Sequence, residues 1–149
     1  MSNTSWGNPT WNFIHTFVEK INVSDFHQHK QTIIDYIFKI CSVLPCPECS
    51  GHATDFLKTV RFENVSKKDD LIEIMFVFHN QVNKNLKKIE FPKNSLSKYS
   101  EQNIVGVLNT FKDAYTKKVS PQLMSQAHGR KIIVTNLKKY IDNNKDAYS

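Results

Sequence analysis

The chain has 149 residues, enough for one domain that buries its own core without disulfide staples. Hydrophobic residues make up 40% and charged residues 23%, an ordinary globular balance, and only 4 Gly and 5 Pro argue against a loop-rich or all-β architecture. The formal net charge is +6, but the basic residues come as scattered pairs (Lys67-Lys68, Lys87-Lys88, Lys117-Lys118, Arg130-Lys131, Lys138-Lys139), which argues against the concentrated stripe of a nucleic-acid binder. Solvated helix faces account for most of them, and the excess suits anionic partners.

The opening residues Met1 to Ser5 are polar, without the basic flank and apolar core of a secretion signal, and no apolar run is long enough for a membrane span. A reducing compartment is therefore expected. Three cysteines, Cys41, Cys46 and Cys49, are too few for a disulfide scaffold and cannot all pair internally.

Helical periodicity runs through almost the whole chain. Asn8-Pro9 reads as a helix start, followed by Trp11, Ile14, His15, Val18 and Ile21 at three- and four-residue spacing to about Lys20. A second helix is expected over about Lys30 to Val43, with Ile33, Ile37, Ile40, Cys41 and Leu44 on one face and Pro45 ending it. A third starts at Cys46-Pro47 and carries Ala53, Phe56, Leu57 and Val60 toward the core, with Gly51 a local weakness. Ser66 with Asp69 reads as an N-cap for a fourth helix over about 67–88, whose face joins Ile72, Met75, Phe76, His79, Val82, Asn83 and Leu86. A polar loop follows, then a helix over about Ser100 to Thr116. The break at Val119-Ser120-Pro121 opens a last segment, where Ile133, Leu137, Tyr140 and Ile141 suggest a small basic amphipathic helix. The expectation is an all-α four- or five-helix bundle over residues 1–118, with a C-terminal helical extension over 119–149.

Three segments carry chemistry. In Cys46-Pro47-Glu48-Cys49, two intervening residues bring the sulfurs close enough for a reducible disulfide, and a helix N-terminus stabilises thiolate. The same spacing serves zinc, with His52 as a conceivable third ligand, or an inert pair. Cys41, on an apolar face, reads as a buried structural thiol. His79 and Asn83, four apart among core residues, are polar groups that need partners, and a heteroaromatic ligand inserted in the bundle would satisfy both. Trp11 and His15, also four apart, can be core or can clasp a flat ring.

Taken in order, Trp6-Gly7-x-x-x-Trp11-x-x-x-His15, then Leu44-Pro45-Cys46-Pro47-Glu48-Cys49, then Phe76-x-x-His79-Asn80-x-Val82-Asn83-x-x-Leu86-x-Lys88 resembles the Erv/ALR family of flavin-dependent sulfhydryl oxidases. The resemblance runs from about Trp6 to Ile104 and leans toward the small members of large cytoplasmic DNA viruses, the African swine fever virus type. It implies four helices cradling FAD and a short fifth helix closing the side. It implies Cys46 as the more exposed sulfur that exchanges with a substrate thiol, and Cys49 as the one facing the flavin. Trp11 and His15 would line the cofactor, His79, Asn80 and Asn83 would hold its adenine and ribose side, and Leu86, Lys87 and Lys88 would meet the diphosphate. Tyr99 would stack near adenine, and Gly7 and Val82 belong to the same cofactor motifs. No metal is implied.

The resemblance further implies thiol–disulfide exchange at Cys46, electrons leaving to O2 as hydrogen peroxide, and a homodimer. Three departures stand out. Lys87 occupies a position where many members have glycine. Phe91-Pro92-Lys93 lacks the cysteine of a second structural disulfide seen in cellular members. No cysteine lies outside residues 41–49, so a separate thioredoxin-like or small CxxC protein is the expected electron donor. A viral disulfide pathway in the host cytoplasm or virion fits the absence of a signal segment. The competing readings are a non-catalytic helical adaptor with a structural or zinc-binding CxxC, and a nucleic-acid-binding virion protein.

Overall fold

The computed structural model describes residues 5–117 and 124–149, and no strand occurs among them. The chain is all-α. Helix α1 (Gly7–Lys20) forms the axis: from Thr10 to Val18 every side chain except Asn12 is buried. It packs on α5 (Ile104–Tyr115), on α4 (Lys68–Asn85) and on a run of 3-10 turns at Lys93–Glu101, while α2 (Phe26–Ser42) packs on α3 (Pro47–Thr59), and α3 on α4. Phe13, Ile14 and Phe17 of α1, with Ile21 capping its C-terminal end, share one fully buried core with Ile33, Ile37 and Ile40 of α2 and Phe111 of α5. Phe13 stacks on Phe111 with ring centres 5.0 Å apart. Each such side chain contributes roughly 1.5–3 kcal/mol by leaving water.

The ends of the elements differ from the periodicity reading for local reasons. Helix α1 begins at Gly7, with Trp6 as N-cap and Pro9 inside the first turn, where its missing N–H costs nothing. Helix α2 starts at Phe26, four residues before the expected Lys30, because a 3-10 turn at Val23–Asp25 feeds directly into it. The cap of α4 falls one residue later than Ser66–Asp69: Lys67 is the N-cap, and the Asp70 carboxylate accepts from the Lys67 and Ser66 N–H groups at 3.1 and 3.0 Å. Hydrogen bonding to the Ser66 backbone and hydroxyl holds the Asp70 carboxyl below its ordinary pKa. The core line of α4 is Leu71, Met75, Phe78 and Val82, and Ile72 and Phe76 sit at its edge. Val60 caps α3 half-buried instead of joining the core. The expected polar loop before α5 is wound as 3-10 turns, and Asn103 caps α5 by accepting the Gly106 N–H at 2.9 Å.

Helix α6 (Met124–Asn143) is 20 residues long and packs on α2 and α5. Val134, Leu137 and Ile141, with Ala147 and Tyr148 beyond the helix, are buried in the same core as α1 and α2. The boundary expected at 118/119, with the Val119-Ser120-Pro121 break, lies outside the described residues. No helix among the described residues is long and apolar enough to cross a membrane.

Candidate active site

Helix α2 stops at Ser42 because the chain must extend to reach Pro45, and α3 begins at Pro47 with Cys46 as its extended N-cap. Cys46 and Cys49 form a disulfide whose Cα atoms are 5.2 Å apart. The Cys49 N–H donates to Cys46 Sγ at 3.2 Å, so one of the orphan amides of α3 is aimed at sulfur. Ser50 ties the turn together: its N–H donates to the Cys46 carbonyl at 3.0 Å, and its hydroxyl accepts the Leu44 N–H at 2.8 Å. Cys46 is half-buried, whereas Cys49 is 9% exposed and faces a narrow cleft shared with His52, Ala53, Val82, Asn85 and Leu86. The outer sulfur can be attacked and the inner one released next to α4. Cys41 is fully buried, and burial pushes its thiol up to about 12, so it carries no thiolate near neutrality.

Farther up α4, His79 Nδ1 and His15 Nε2 lie 2.8 Å apart, one donating to the other. Burial, with Coulomb repulsion from the partner ring and Lys98, lowers His15 to about 3. Burial also lowers His79 to about 4, followed by the cations around it, among them Lys98 and Lys88. Both imidazoles are therefore neutral at pH 7. Trp11 stacks on His79 at 4.1 Å, Phe91 on the other side of His79 at 4.5 Å, and Tyr99 on His15 at 4.7 Å. This cluster borders a cavity of about 490 Å³ lined by Asn8, Trp11, Asn12, His79, Phe91, Lys98, Tyr99 and Thr110 among others. Lys98 Nζ stands 5.1 Å from the Tyr99 ring centre, placing a cation at an aromatic wall.

The expected residues thus divide into groups. Trp11, His15, His79 and Tyr99 come together in the aromatic cluster, and Cys49, Val82 and Leu86 in the thiol cleft. Asn80 and Asn83 hold protein backbone instead. Asn80 clasps Phe91, donating to its carbonyl at 3.1 Å and accepting its N–H at 2.6 Å, and Asn83 donates to the Ile89 carbonyl at 3.2 Å. Gly7 is buried at the start of α1, one turn before Trp11. Lys87 is exposed past the end of α4, and Lys88 lines an outer hollow of about 500 Å³ with Lys84, Asn80, Phe76 and Glu90. Phe91 and Lys98 escape sequence reasoning. Phe91 lies eleven residues from the Asn80 that anchors it, a spacing no periodicity flags.

A disulfide at the start of α3 and a neutral histidine pair walled by aromatic rings therefore both border α4, the first at Val82 and Leu86 and the second through His79. Residues 8–103 match the Erv1/Alr family over most of this arrangement. The chain belongs to the Erv1/Alr family. Its relatives include the 096R protein of Invertebrate iridescent virus 3, named provisionally as an FAD-linked sulfhydryl oxidase and 33% identical over 84 residues, 56% of this chain and 57% of that one. The FAD-linked sulfhydryl oxidase ERV1 of Arabidopsis thaliana is 26% identical over 58% of this chain and 44% of its own length. The FAD-linked sulfhydryl oxidase of African swine fever virus (isolate Tick/Malawi/Lil 20-1/1983) is 27% identical over 69% of this chain and 86% of its own. The chain thus spans about half the length of the first two relatives. No solved structure matches.

The Erv1/Alr match ends before α5, so α5 and α6 add buried residues that the family region does not contain. At Lys87 φ is 56°, the left-handed conformation that glycine adopts without cost. Lys88 N–H donates to the Asn83 carbonyl at 2.8 Å and Lys87 N–H to the Lys84 carbonyl at 3.1 Å, so the turn closes α4 as a Schellman motif with lysine in the glycine position. Among the described residues no group of three or more His, Cys, Asp or Glu side chains is arranged to hold a metal ion.

Proposed function

We propose that this chain is an FAD-dependent thiol oxidase. The observation that carries the reading is α4 itself, which lines the cleft beside the buried sulfur of an exchangeable disulfide through Val82 and Leu86 and the aromatic, neutral-histidine cluster through His79, positions within about two helical turns of one another. The overall reaction is protein dithiol + O2 → protein disulfide + H2O2. Viral and plant relatives named as FAD-linked sulfhydryl oxidases support it.

The residues fit FAD. Trp11 and Tyr99 line the cavity with aromatic rings and His79 lines it as a neutral imidazole, the cavity of about 490 Å³ has room for part of a dinucleotide, and Lys98, with Lys84 and Lys88 on the outer face, supplies cations for a diphosphate. When bound, FAD would take an electron pair from the thiols and give it to O2. Everything else falls to the chain. A substrate thiolate attacks the half-buried Cys46 sulfur, and the Cys46–Cys49 bond breaks with Cys49 leaving as thiolate. The Cys49 amide and the N-terminal dipole of α3 favour negative charge on sulfur in this turn. The second substrate thiol then displaces Cys46 and completes the substrate disulfide. His15 and His79, held neutral, offer ring nitrogens without adding positive charge. Asn80 and Asn83 act one step back, fixing the loop that carries Phe91.

The donor we propose is a thioredoxin-like or small CxxC protein, because these 149 residues hold no cysteine beyond Cys41, Cys46 and Cys49. The viral relatives support a place in a disulfide-forming pathway of a large DNA virus, in host cytoplasm or virion, and the family resemblance supports a homodimer. The test is the visible spectrum of the purified protein before and after dithiothreitol in air. Oxidised-flavin bands that bleach with dithiol and return as oxygen is consumed are expected. A colourless protein that added FAD does not reconstitute would overturn the reading in favour of a non-catalytic helical adaptor.

A further inference from the structure

Arg130 is the largest fully buried side chain among the described residues, at 0% exposure, and no carboxylate among them lies within ion-pair distance of it. Its Nη1 donates to the Val43 carbonyl at 3.1 Å, its guanidinium lies 5.9 Å from the Tyr115 ring centre, and its Nε and Nη2 have no hydrogen-bond partner among the described residues. The Tyr115 hydroxyl donates to the Ile40 carbonyl at 2.9 Å. Two side chains from α5 and α6 therefore take up carbonyls at the C-terminal end of α2, where the helix leaves acceptors open and concentrates negative charge. An apolar side chain of similar volume would fill this site without burying unpaired donors, so a retained guanidinium points to a task beyond packing. Val43 is the C-cap of α2 and stands three residues before Cys46, and its neighbour Leu44 is the residue tied to Ser50.

We propose that Arg130 is a positioning residue of the redox turn: by clamping the Val43 carbonyl it fixes the chain entering Cys46, so that α6, outside the family match, sets how readily the Cys46–Cys49 disulfide is reduced. A clamped turn loses less chain entropy when the disulfide closes, so releasing the clamp favours the dithiol. The proposal rests on the thiol-oxidase reading only in taking Cys46–Cys49 as the working pair.

The test equilibrates the full chain in glutathione redox buffers, where protein disulfide + 2 GSH ⇌ protein dithiol + GSSG. Acid quenching, denaturation and alkylation then separate oxidised chains carrying one alkyl group from reduced chains carrying three, by mass. Arg130→Met should move the balance about tenfold toward the dithiol, about 30 mV for a two-electron couple. Arg130→Lys keeps a cation and one donor and should move it about threefold; it decides the matter if the methionine variant does not fold. Leu137→Ala loosens α6 in the core without touching Val43, and should lower Tm while leaving the balance within about twofold. Arginine variants that match the wild type, or an equal shift in Leu137→Ala, would overturn the proposal. The measurement needs neither flavin nor oxygen. A colourless protein therefore sinks the oxidase reading and leaves the clamp testable, while an unshifted balance in an active yellow enzyme sinks the clamp alone.

Discussion

Two aromatic–histidine clusters lean on α1, and they resolve the same chemistry in opposite ways. In one, Trp11, His15, His79, Phe91 and Tyr99 stack around the hydrogen bond between the two imidazoles, beside a cavity of about 490 Å³. In the other, His29, Tyr140 and Tyr148 close on each other: the Tyr140 hydroxyl pairs with His29 Nδ1 at 2.6 Å and with the Tyr148 hydroxyl at 2.8 Å. Phe17 stacks on Tyr148 at 5.5 Å, and Asn22 pins the chain end: its N–H donates to the Ala147 carbonyl and its side-chain amide to the Asp146 carbonyl, each at 2.7 Å. Polar aromatic residues in a core are thus no sign of a ligand by themselves. What separates them among the described residues is what the side chains bond: in the second cluster Tyr140 ties His29 to Tyr148, whereas in the first the two imidazoles bond each other and His79 and Tyr99 line the cavity.

The largest effect should come from the thiols that make the open cluster useful. Cys49→Ser should keep its flavin and lose turnover by a factor on the order of 10³ or more, since it removes a group the chemistry passes through. Normal turnover, followed by oxygen consumption with dithiothreitol, would overturn the assignment. The next effect is on stability against pH. The folded-state values of His15 and His79, about 3 and about 4, lie below the unfolded reference of 6.5. The unfolded chain binds protons that the folded one refuses. The stability from this pair is therefore complete above pH 6.5 and is lost as pH falls toward 4 and below. Each histidine contributes a slope of up to about 1.4 kcal/mol per pH unit. Urea midpoints between pH 7 and 4 should fall, and His79→Phe should flatten the curve, which a curve as steep as the wild type's would contradict. The clusters themselves can then be compared directly. His79→Ala should weaken FAD binding by about 10- to 100-fold, read by flavin fluorescence on dilution. Tyr140→Phe should cost about 1–2 kcal/mol in stability with FAD affinity unchanged. A Tyr140→Phe variant that loses flavin would remove the distinction drawn between the two sites.

Trp11, His15 and His79 of the open cluster are legible in the sequence, Tyr99 enters through the family resemblance, Phe91 escapes, and the closed cluster is nearly invisible; the reason is spacing. Trp11 and His15 are one helical turn apart, as are His79 and Asn83, so helical periodicity alone puts them on inward faces. His29 meets Tyr140 across 111 residues, and Arg130 reaches Val43 across 87, distances at which no local pattern carries information. Burial is legible where function is not: Asn83 stands out in the sequence as a polar group on an inward helix face and Asn80 enters through the family motif, yet their partners are the backbone of residues 89 and 91. In sequence Arg130 reads as half of one more solvated basic pair. Only the packing of α6 shows that one member of that pair is fully buried while Lys131 is exposed.

The smallest expected effect tests the junction between the thiol cleft and the aromatic cluster. The Schellman turn after α4 directs the chain from Leu86, which lines the thiol cleft, through Ile89, whose carbonyl Asn83 holds, to Phe91, which Asn80 holds beside the histidines. Its left-handed residue is Lys87, whose Cβ crowds the backbone at φ 56°. Glycine accepts that conformation freely, so Lys87→Gly should raise stability by about 1 kcal/mol, partly offset by the larger entropy of the unfolded chain. If the turn alone sets the path of 86–91, the variant should bind FAD as the parent does. If the lysine also acts as a cation toward the diphosphate, affinity should fall with added salt in the parent and lose part of that dependence in the variant. Thermal melts and FAD titrations at two ionic strengths separate these outcomes. Lower stability in Lys87→Gly would mean that the lysine side chain contributes more to the turn than its backbone conformation costs.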